Sequence, residues 1–383
     1  MQGTWNGTDI GELGRRLQRA HGEVWLHQMK GDPYADVLRG HDEDPHPGYE
    51  RIRALGPLRR STTGAWVTAD HALAASVLGG TWPRDPVTDE DAHVPVRDAG
   101  LGGDSACYER LRASAGSLVT PAAVTAVCER AVAGLDGDFD LVTDLAERVP
   151  VDLLAEAAGL SAARRRELAR DCAAAAIVLD GLLCPQRLDA TRRAAAAVAG
   201  LRALLTEPDG NPGPGPREAA LPLATAGVRT AAALVTGSVL AVVDHPEEWS
   251  RVADDPGHAA AVVTEVLRYD PPVRLHPVIA GADVELAGQR VSRGERLVVL
   301  LAAANRDPDV FPDPSRFDTG RPTEPLLPTH VHRLTVPFAR ALAESVVRAL
   351  VAAGPRPRRA APHLRSRRSP VTGHLLSCPL ATG

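Results

Sequence analysis

The chain has 383 residues, of which 44% are hydrophobic and 24% charged, so it can bury a large core and is not an intrinsically disordered protein. The formal net charge of −5 is small for this length and gives no overall attraction to nucleic acid or to an anionic membrane. Lys30 is the only lysine, and the many arginines, alanines and prolines are typical of a GC-rich, actinomycete-like genome.

The five cysteines are scattered along the chain, with no CxxC pair and no cluster with histidines at zinc spacing. Their spacing predicts neither a disulfide framework nor a metal site. The N-terminus has no basic segment followed by an apolar run, so we expect no secretory signal and a cytoplasmic location. The longest apolar stretch, residues 221–243, contains Arg229 and several hydroxyl side chains, which favours a buried helix over a membrane span.

Helical signals dominate the chain, and they begin with apolar residues at helical spacing over residues 13–24. This segment is expected either to dock on the body of the protein or to bind a partner through its apolar face. Thr120 followed by Pro121 predicts the start of a helix, and Asp140 and Ser161 are predicted N-caps of two more.

Strand signals are local and occur at residues 65–68 and 278–301, where glycines interrupt apolar runs. Residues 207–216 are dense in proline and glycine, but this stretch is too short to establish a domain boundary. We therefore predict a mainly α protein with a small β region. It forms a single domain over residues 1–383, in which residues 1–45 are an N-terminal extension.

Residues 263–270 read VTEVLRYD, which places Glu265 and Arg268 on one helical face, where they can form an ion pair. Residues 302–322 follow with AAANRDPDVFPDPSRFDTGRP, and together these segments resemble the K-helix and the meander of bacterial cytochromes P450. In that family an arginine of the meander closes the Glu–Arg pair into a buried triad. The resemblance places this third residue at Arg321.

The resemblance to cytochromes P450 extends over nearly the whole chain. Residues 224–249 resemble the long I-helix of the family and the turn that follows it. Residues 56–60 and 65–79 resemble the N-terminal hairpin and the B-helix. The resemblance therefore implies the cytochrome P450 fold.

The haem-binding loop of the family, FGxGxHxCxG, falls on LLPTHVHRLT at residues 326–335, and the iron-ligating cysteine is replaced by Arg333. A guanidinium has no lone pair to offer, so Arg333 cannot replace the thiolate that activates oxygen in these enzymes. The two glycines that let the backbone approach the macrocycle become Leu327 and Thr329. The resemblance thus implies a cytochrome P450 fold that lacks the haem-ligand cysteine.

Two further positions agree with a degenerate haem site. The family's C-helix holds a haem propionate with a histidine and an arginine, whereas this chain keeps Arg112 but has Tyr108 at the histidine position. The acid–threonine pair of the I-helix keeps Thr230 but has Arg229 instead of the acid, and a cation cannot relay protons. We expect no cofactor, no metal and no catalytic residue, while the triad braces the fold.

A cytochrome P450 fold without its cysteine resembles one known group, the helper proteins encoded beside glycosyltransferases in macrolide and anthracycline pathways. Residues 13–22, 31–45 and 365–370 resemble that group in particular. The resemblance implies a non-catalytic auxiliary protein that binds, stabilises and allosterically activates a glycosyltransferase. That partner moves an NDP-deoxysugar onto a polyketide aglycone, so we expect a hetero-oligomer and no contact with nucleic acid or membrane.

Two alternatives stay open. His330 and His332 flank the position of the missing cysteine, and an imidazole can bind haem iron, which permits a haem monooxygenase with a histidine ligand. The second alternative is a haem-free protein that binds a small molecule in the former substrate pocket. The cluster of arginines at residues 356–368 is interrupted by prolines and has no stacking aromatics, which favours a solvated hairpin or a partner-facing patch over a nucleic-acid site.

Overall fold

Most of the chain folds into helices, as the apolar periodicity predicts. The structure is a computed structural model, which describes residues 10–41, 44–79, 84–85, 87–88, 92, 94–103, 105–116, 119–206, 217–321, 327, 330–366 and 368–382. In chain order, the α-helices are α1 (Ile10–Met29), α2 (Pro33–Arg39), α3 (His46–Arg53), α4 (His71–Gly79), α5 (Ser105–Ala115), α6 (Pro121–Ala133), α7 (Arg148–Ala157), α8 (Ala162–Ala175), α9 (Ile177–Gly181), α10 (Leu188–Thr206), α11 (Val228–Asp244), α12 (Pro246–Asp254), α13 (Ala259–Tyr269), α14 (Leu301–Ala304) and α15 (His330–Ala353).

In the part of the chain that the structure describes, the strands are short and lie in four small sheets. They are β1 (Arg59–Arg60), β2 (Trp66–Thr68), β3 (Arg84–Asp85), β4 (Phe139–Asp140), β5 (Leu275–Ala280), β6 (Val284–Leu286), β7 (Gln289–Val291), β8 (Arg296–Leu300), β9 (Arg358–Arg359), β10 (Leu364–Arg365), β11 (Leu375–Ser377) and β12 (Pro379–Ala381). The largest sheet has the order β1-β2-β8-β5-β3, in which β2 and β8 are parallel and the other pairs are antiparallel. Strands predicted at residues 65–68 and 278–301 are therefore present, and the second region begins slightly earlier, at β5.

The predicted helix starts are confirmed, and each has its capping hydrogen bond. The Thr120 hydroxyl accepts from the third residue of α6, and the Ser161 hydroxyl accepts in the same way from α8. The Asp140 carboxylate accepts two backbone N–H groups at the start of a π-helical turn, Leu141–Ala146, which leads into α7. Such helix starts can be predicted from the sequence because a capping side chain accepts hydrogen bonds from N–H groups that the first helical turn leaves unpaired.

The helical stretch Ala220–Asp244 lies at the centre of the fold. It consists of a short α-turn, a π-helical segment (Leu223–Gly227) and α11. Among the described residues it is the one helix long and apolar enough to cross a membrane, yet 78% of its most apolar window is buried inside the protein. Side chains of α13 and α15 cover it, which agrees with the prediction of a buried core helix.

The predicted N-terminal extension is described from residue 10, and its first half packs on the body. Leu13 and Leu17 of α1 are buried, and His21 Nε2 lies 2.7 Å from the carbonyl oxygen of Pro185. The second half of α1 instead leaves Trp25 and Met29 more than half exposed. One end of α1 therefore docks on the body of the protein, as predicted, and the other end exposes apolar side chains to solvent.

Asp32 fastens the start of α2 to the turn between β1 and β2. Its Oδ1 accepts the backbone N–H groups of Tyr34 and Ala35, and its Oδ2 accepts from the hydroxyl of Ser61 and from both the N–H and the hydroxyl of Thr62. Burial alone would raise the pKa of this carboxyl, but these hydrogen bonds outweigh burial and hold the pKa below its usual value. One carboxylate thus joins the N-terminal segment to the main sheet.

Part of the C-terminal arginine cluster packs on the body instead of forming a free basic patch. Arg359 makes a two-pronged ion pair with Asp244 at the end of α11, with distances of 2.9 and 2.6 Å. The Arg356 guanidinium donates to the carbonyl of Val243. These contacts agree with a terminal hairpin that lies against the core helix.

The Asp32→Ala change tests this fastening. It removes an N-cap, a change that typically costs about 0.5–2 kcal/mol, and it leaves the donors of Ser61 and Thr62 without their acceptor. We expect the free energy of unfolding to fall by about 2 kcal/mol or more in urea titrations followed by circular dichroism. Asp138→Ala, an exposed position, is the control and is expected to stay within about 0.5 kcal/mol of the parent.

Candidate functional site

Glu265 and Arg268 form a two-pronged ion pair inside α13. Arg268 Nη2 lies 2.7 Å from Glu265 Oε1, and Nε lies 2.8 Å from Oε2. Both side chains are at least 96% buried. A buried charge is tolerated when it is paired and its remaining hydrogen-bonding groups are satisfied. The two parallel N–H···O bonds of this pair form a bidentate contact, which is the strongest kind of arginine–carboxylate hydrogen bonding.

The irregular segment after α14, which resembles the family's meander and is called the meander below, brings Arg321 to the same carboxylate. Arg321 Nε lies 3.5 Å from Glu265 Oε1, while its Nη2 donates to the carbonyl of Asp313 at 2.8 Å. Arg268 in turn donates to the carbonyl of Pro314 at 2.9 Å. The structure therefore brings the three predicted triad residues together, and their remaining donors bind backbone carbonyls of the meander.

The I-helix positions are occupied by groups that bond within the protein. The Thr230 hydroxyl donates to the carbonyl of Ala226 one turn earlier, at 2.9 Å, and the side chain is almost fully buried. Arg229 Nη1 lies 3.3 Å from Glu147 Oε1 and 2.8 Å from Nε2 of His374. A guanidinium only donates hydrogen bonds, so Arg229 cannot itself take up and pass on a proton as the family's acid does.

The charge states in this cluster follow from burial. Burial lowers the pKa of His374 to about 3, and the neighbouring guanidinium groups of Arg229 and Arg365 lower it further in the same direction. The imidazole is therefore neutral at neutral pH and accepts a hydrogen bond from Arg229. Burial also lowers the pKa of Arg229, whereas Glu147 raises it.

The C-helix residues do not converge on a shared site. The hydroxyl of Tyr108 in α5 is buried and donates to the carbonyl of Leu101 at 2.8 Å, in the loop before the helix. Arg112 is exposed and pairs with Glu109 of the same helix at 3.2 Å. Tyr108 thus lies in the interior and Arg112 at the surface, so the side chains at the family's propionate-binding positions do not meet.

Within the segment matched to the family's haem-binding loop, residues 330–335 are helical in the structure. Helix α15 begins at His330, so His332 and Arg333 belong to its first turns. The side chains of residues 330–333 and all of Thr329 lie outside the described part of the chain. Leu327 is described and is buried.

The helix forms despite a proline that normally interrupts one. Pro337 has no N–H to donate to the carbonyl of Arg333, so the helix lacks one of its regular hydrogen bonds there. Leu334, Thr335 and Phe338 are nevertheless buried against the core, and this packing holds the segment in the helix. Tertiary contacts therefore override the local propensity.

By the resemblance, the haem of the family would lie between the Arg333 position and residues 229–230. Neither Arg333 nor Arg229 can ligate iron, because a guanidinium has no lone pair to offer. Gly227, at the end of the π-helical segment, lies close to α15, since a Cβ placed on it would be 3.5 Å from Cδ1 of Phe338, and Leu223 is fully buried beside it. Among the described residues, no group of three or more His, Cys, Asp and Glu side chains could hold a metal ion.

Comparisons with known proteins show the family to which the chain belongs. The cytochrome P450 family model matches residues 259–338, which run from the start of α13 into α15. The chain is 35% identical over 384 residues to the cytochrome P450 family protein EryCII of Saccharopolyspora erythraea, which covers 97% of this chain and 99% of that protein. The chain belongs to the cytochrome P450 family. Protein DesVIII of Streptomyces venezuelae is 40% identical over 387 residues, covering 97% of this chain and 94% of that protein.

A solved structure gives the same result for the fold. The ligand-free cytochrome P450 CYP164A2 of Mycobacterium smegmatis superposes with a TM-score of 0.76 and 25% identity, covering 91% of this chain and 99% of that one. The predicted cytochrome P450 fold, mainly α with a small β region, is confirmed. The predicted resemblance to the P450-like auxiliary proteins of glycosyltransferases is confirmed as well.

The cluster of Glu147, Arg229 and His374 was not predicted from the sequence. Its members are far apart along the chain, and no local motif joins them. The available signal was Arg229 itself, because a charge inside an apolar helix requires a partner. The identity of that partner depends on which helices pack together.

The triad predicts a large difference between two Glu–Arg pairs that have identical spacing. Arg268→Met leaves the Glu265 carboxylate buried without its partner, and we expect the free energy of unfolding to fall by about 3–5 kcal/mol. Arg112→Met breaks the exposed pair with Glu109 and is expected to cost less than about 1 kcal/mol. Urea titrations measure both, and equal losses would contradict the bracing role of the triad.

His374 predicts a pH dependence of stability. Its pKa is about 3 in the folded protein and 6.5 in the unfolded chain, so the unfolded chain binds the extra proton as pH falls through this window. Stability is therefore lost on acidification below about pH 6.5. His374→Gln keeps an acceptor for Arg229 and removes this titration, so unfolding measured from pH 7 to 4 should show a shallower slope. An unchanged slope would mean that His374 is protonated when folded.

Proposed function

We propose that this protein is a non-catalytic auxiliary subunit that binds, stabilises and activates a glycosyltransferase. The partner transfers an NDP-deoxysugar to a polyketide aglycone in antibiotic biosynthesis, and the two proteins form a hetero-oligomer in the cytoplasm. The family relationship supports this proposal. The observation that carries it is Arg333 at the position that the resemblance gives to the family's iron ligand, because a guanidinium cannot ligate iron in a fold that cytochrome P450 enzymes use to hold haem.

We further propose that the chain is a single cytochrome P450-like domain in which Glu265, Arg268 and Arg321 have a structural role. The bonds of these three side chains to one another and to the meander support that role. The degenerate haem site consists of the family's ligand, propionate and relay positions, which are Tyr108, Arg112, Arg229, Thr230, Leu327, Thr329 and Arg333.

Activation by a protein without chemistry of its own has two physical routes. A partner that binds only the folded transferase stabilises it by RT ln(1 + [L]/Kd), which is about 2.7 kcal/mol at a hundredfold excess over Kd. Alternatively, the helper binds the active conformer of a folded transferase more tightly, and its effect is then limited by its differential affinity for the two conformers. Both routes need a binding surface and neither needs a cofactor.

The test combines spectroscopy with reconstitution. The protein is expressed with a haem precursor beside a haem-loaded bacterial cytochrome P450 as the loading control, and then mixed with the glycosyltransferase of its own pathway. We expect a flat Soret region, co-elution with the transferase in size-exclusion chromatography and a higher rate of glycosylation than with the transferase alone. Arg333→Cys, which restores the ligand alone, should leave the Soret region flat.

Two outcomes would contradict the proposal. Stoichiometric haem in the parent protein would return His330 and His332 as candidate iron ligands and make the protein an oxidoreductase. A transferase whose rate and thermal inactivation are both unchanged by a saturating amount of this protein would exclude the auxiliary role. Adding the helper before or after a heat step separates the two routes, since stabilisation protects the transferase only when the helper is present during heating.

A further inference from the structure

A cavity lies on the side of α11 that faces α7 and α8. Its volume is about 330 Å³, which is within the range of cavities that hold small organic ligands, about 300–1,000 Å³. On α11 it is lined by residues 228, 229 and 232. It is therefore distinct from the contact between the π-helical segment and α15, where Gly227 meets Phe338.

One part of the cavity wall is apolar. Val151 of α7, Cys172 of α8 and Val228 and Ala232 of α11 line it, and all four are buried. Ala173 also lines the cavity but is exposed, which places it near the opening. Apolar walls of this kind favour the hydrocarbon part of a ligand.

Arg229 presents unused hydrogen-bond donors to this cavity. Its Nη1 bonds to Glu147 and His374, whereas Nε and Nη2 have no acceptor among the described residues. Neither of these two atoms is fully enclosed by protein, although the side chain is 91% buried. Nε and Nη2 form the edge of the guanidinium that binds both oxygens of a carboxylate side by side.

The contacts on Nη1 fix the direction in which the remaining edge points. Neutral His374 accepts a hydrogen bond there, and Glu147 lies 3.3 Å from the same atom. A guanidinium anchored on one side loses less rotational freedom when a ligand binds on the other, so this arrangement is preorganised for an acceptor.

The charges around the cavity favour an anion. The charged lining groups are four guanidinium groups and two carboxylates, namely Arg148, Arg165, Arg166 and Arg229 with Glu147 and Asp152, which leaves a net charge of +2. Asp152 is already bonded to Arg148 at 3.3 Å and to Arg165 at 3.2 Å. The surplus positive charge attracts an anionic ligand over a neutral one of the same shape.

We propose that this cavity binds a small organic anion, with a carboxylate on the Nε–Nη2 edge of Arg229 and an apolar body against α7, α8 and α11. The site belongs to this chain alone and does not depend on the proposed glycosyltransferase partner. It uses the residue that replaces the proton-relaying acid of the I-helix, so the substitution that removes one function supplies the recognition group of another.

The test measures binding of three carboxylates, 2-naphthoate, indole-3-acetate and decanoate, to the isolated protein by isothermal titration calorimetry. The neutral 2-naphthalenemethanol, which has the same ring as 2-naphthoate, is the matched control ligand. We expect at least one of the three carboxylates to bind. If 2-naphthoate binds, the Kd of 2-naphthalenemethanol should be higher than that of 2-naphthoate by on the order of tenfold or more, because the alcohol lacks the carboxylate. Failure of all three carboxylates to bind at millimolar concentration would overturn the proposal.

Three variants locate the site. Arg229→Lys keeps the positive charge but lacks the fork, so the Kd of the carboxylate should rise on the order of tenfold. Ala173→Trp blocks the opening from an exposed position and should abolish binding, whereas Ala163→Trp, on the same helix but outside the cavity, should bind like the parent. Unchanged binding in Ala173→Trp would overturn the proposal even if Arg229→Lys folds poorly.

Discussion

The buried pair of Glu265 and Arg268 is the interaction on which the rest of the structure depends. It lies in α13, and its outer donors bind carbonyl groups of the meander, so one helix and one irregular segment hold each other in place. A loop without regular hydrogen bonds needs such an anchor, because its backbone carbonyls would otherwise be buried unpaired. Arg321 completes this anchor from the far end of the meander.

The centre of the fold is closely packed where the chain enters α11. Gly227, just before that helix, lies so near Phe338 of α15 that an added Cβ would be 3.5 Å from the ring. Close packing of this kind gives the core its dispersion contacts.

Near the start of α11, a charged side chain lies in an otherwise apolar helix and is bonded within the protein. Arg229 is stabilised by Glu147 and by a neutral His374, and these come from two distant parts of the chain. The same packing leaves a cavity lined by α7 and α8. Arg229 therefore belongs both to a polar cluster and to the wall of this cavity.

The sequence by itself determined the family, the mainly α architecture, the caps at Thr120, Asp140 and Ser161, and the spacing of the Glu–Arg pair, because each of these is encoded by residues close together in the chain. It also predicts that Arg333 takes the place of the cysteine. It could not reveal that α15 already begins at His330, ahead of Pro337, since propensity favours a break before a proline, and burial of Leu334 and Phe338 overrides that preference. Nor could it supply the partners of Arg229, because contacts between residues distant in sequence are fixed only when the helices pack.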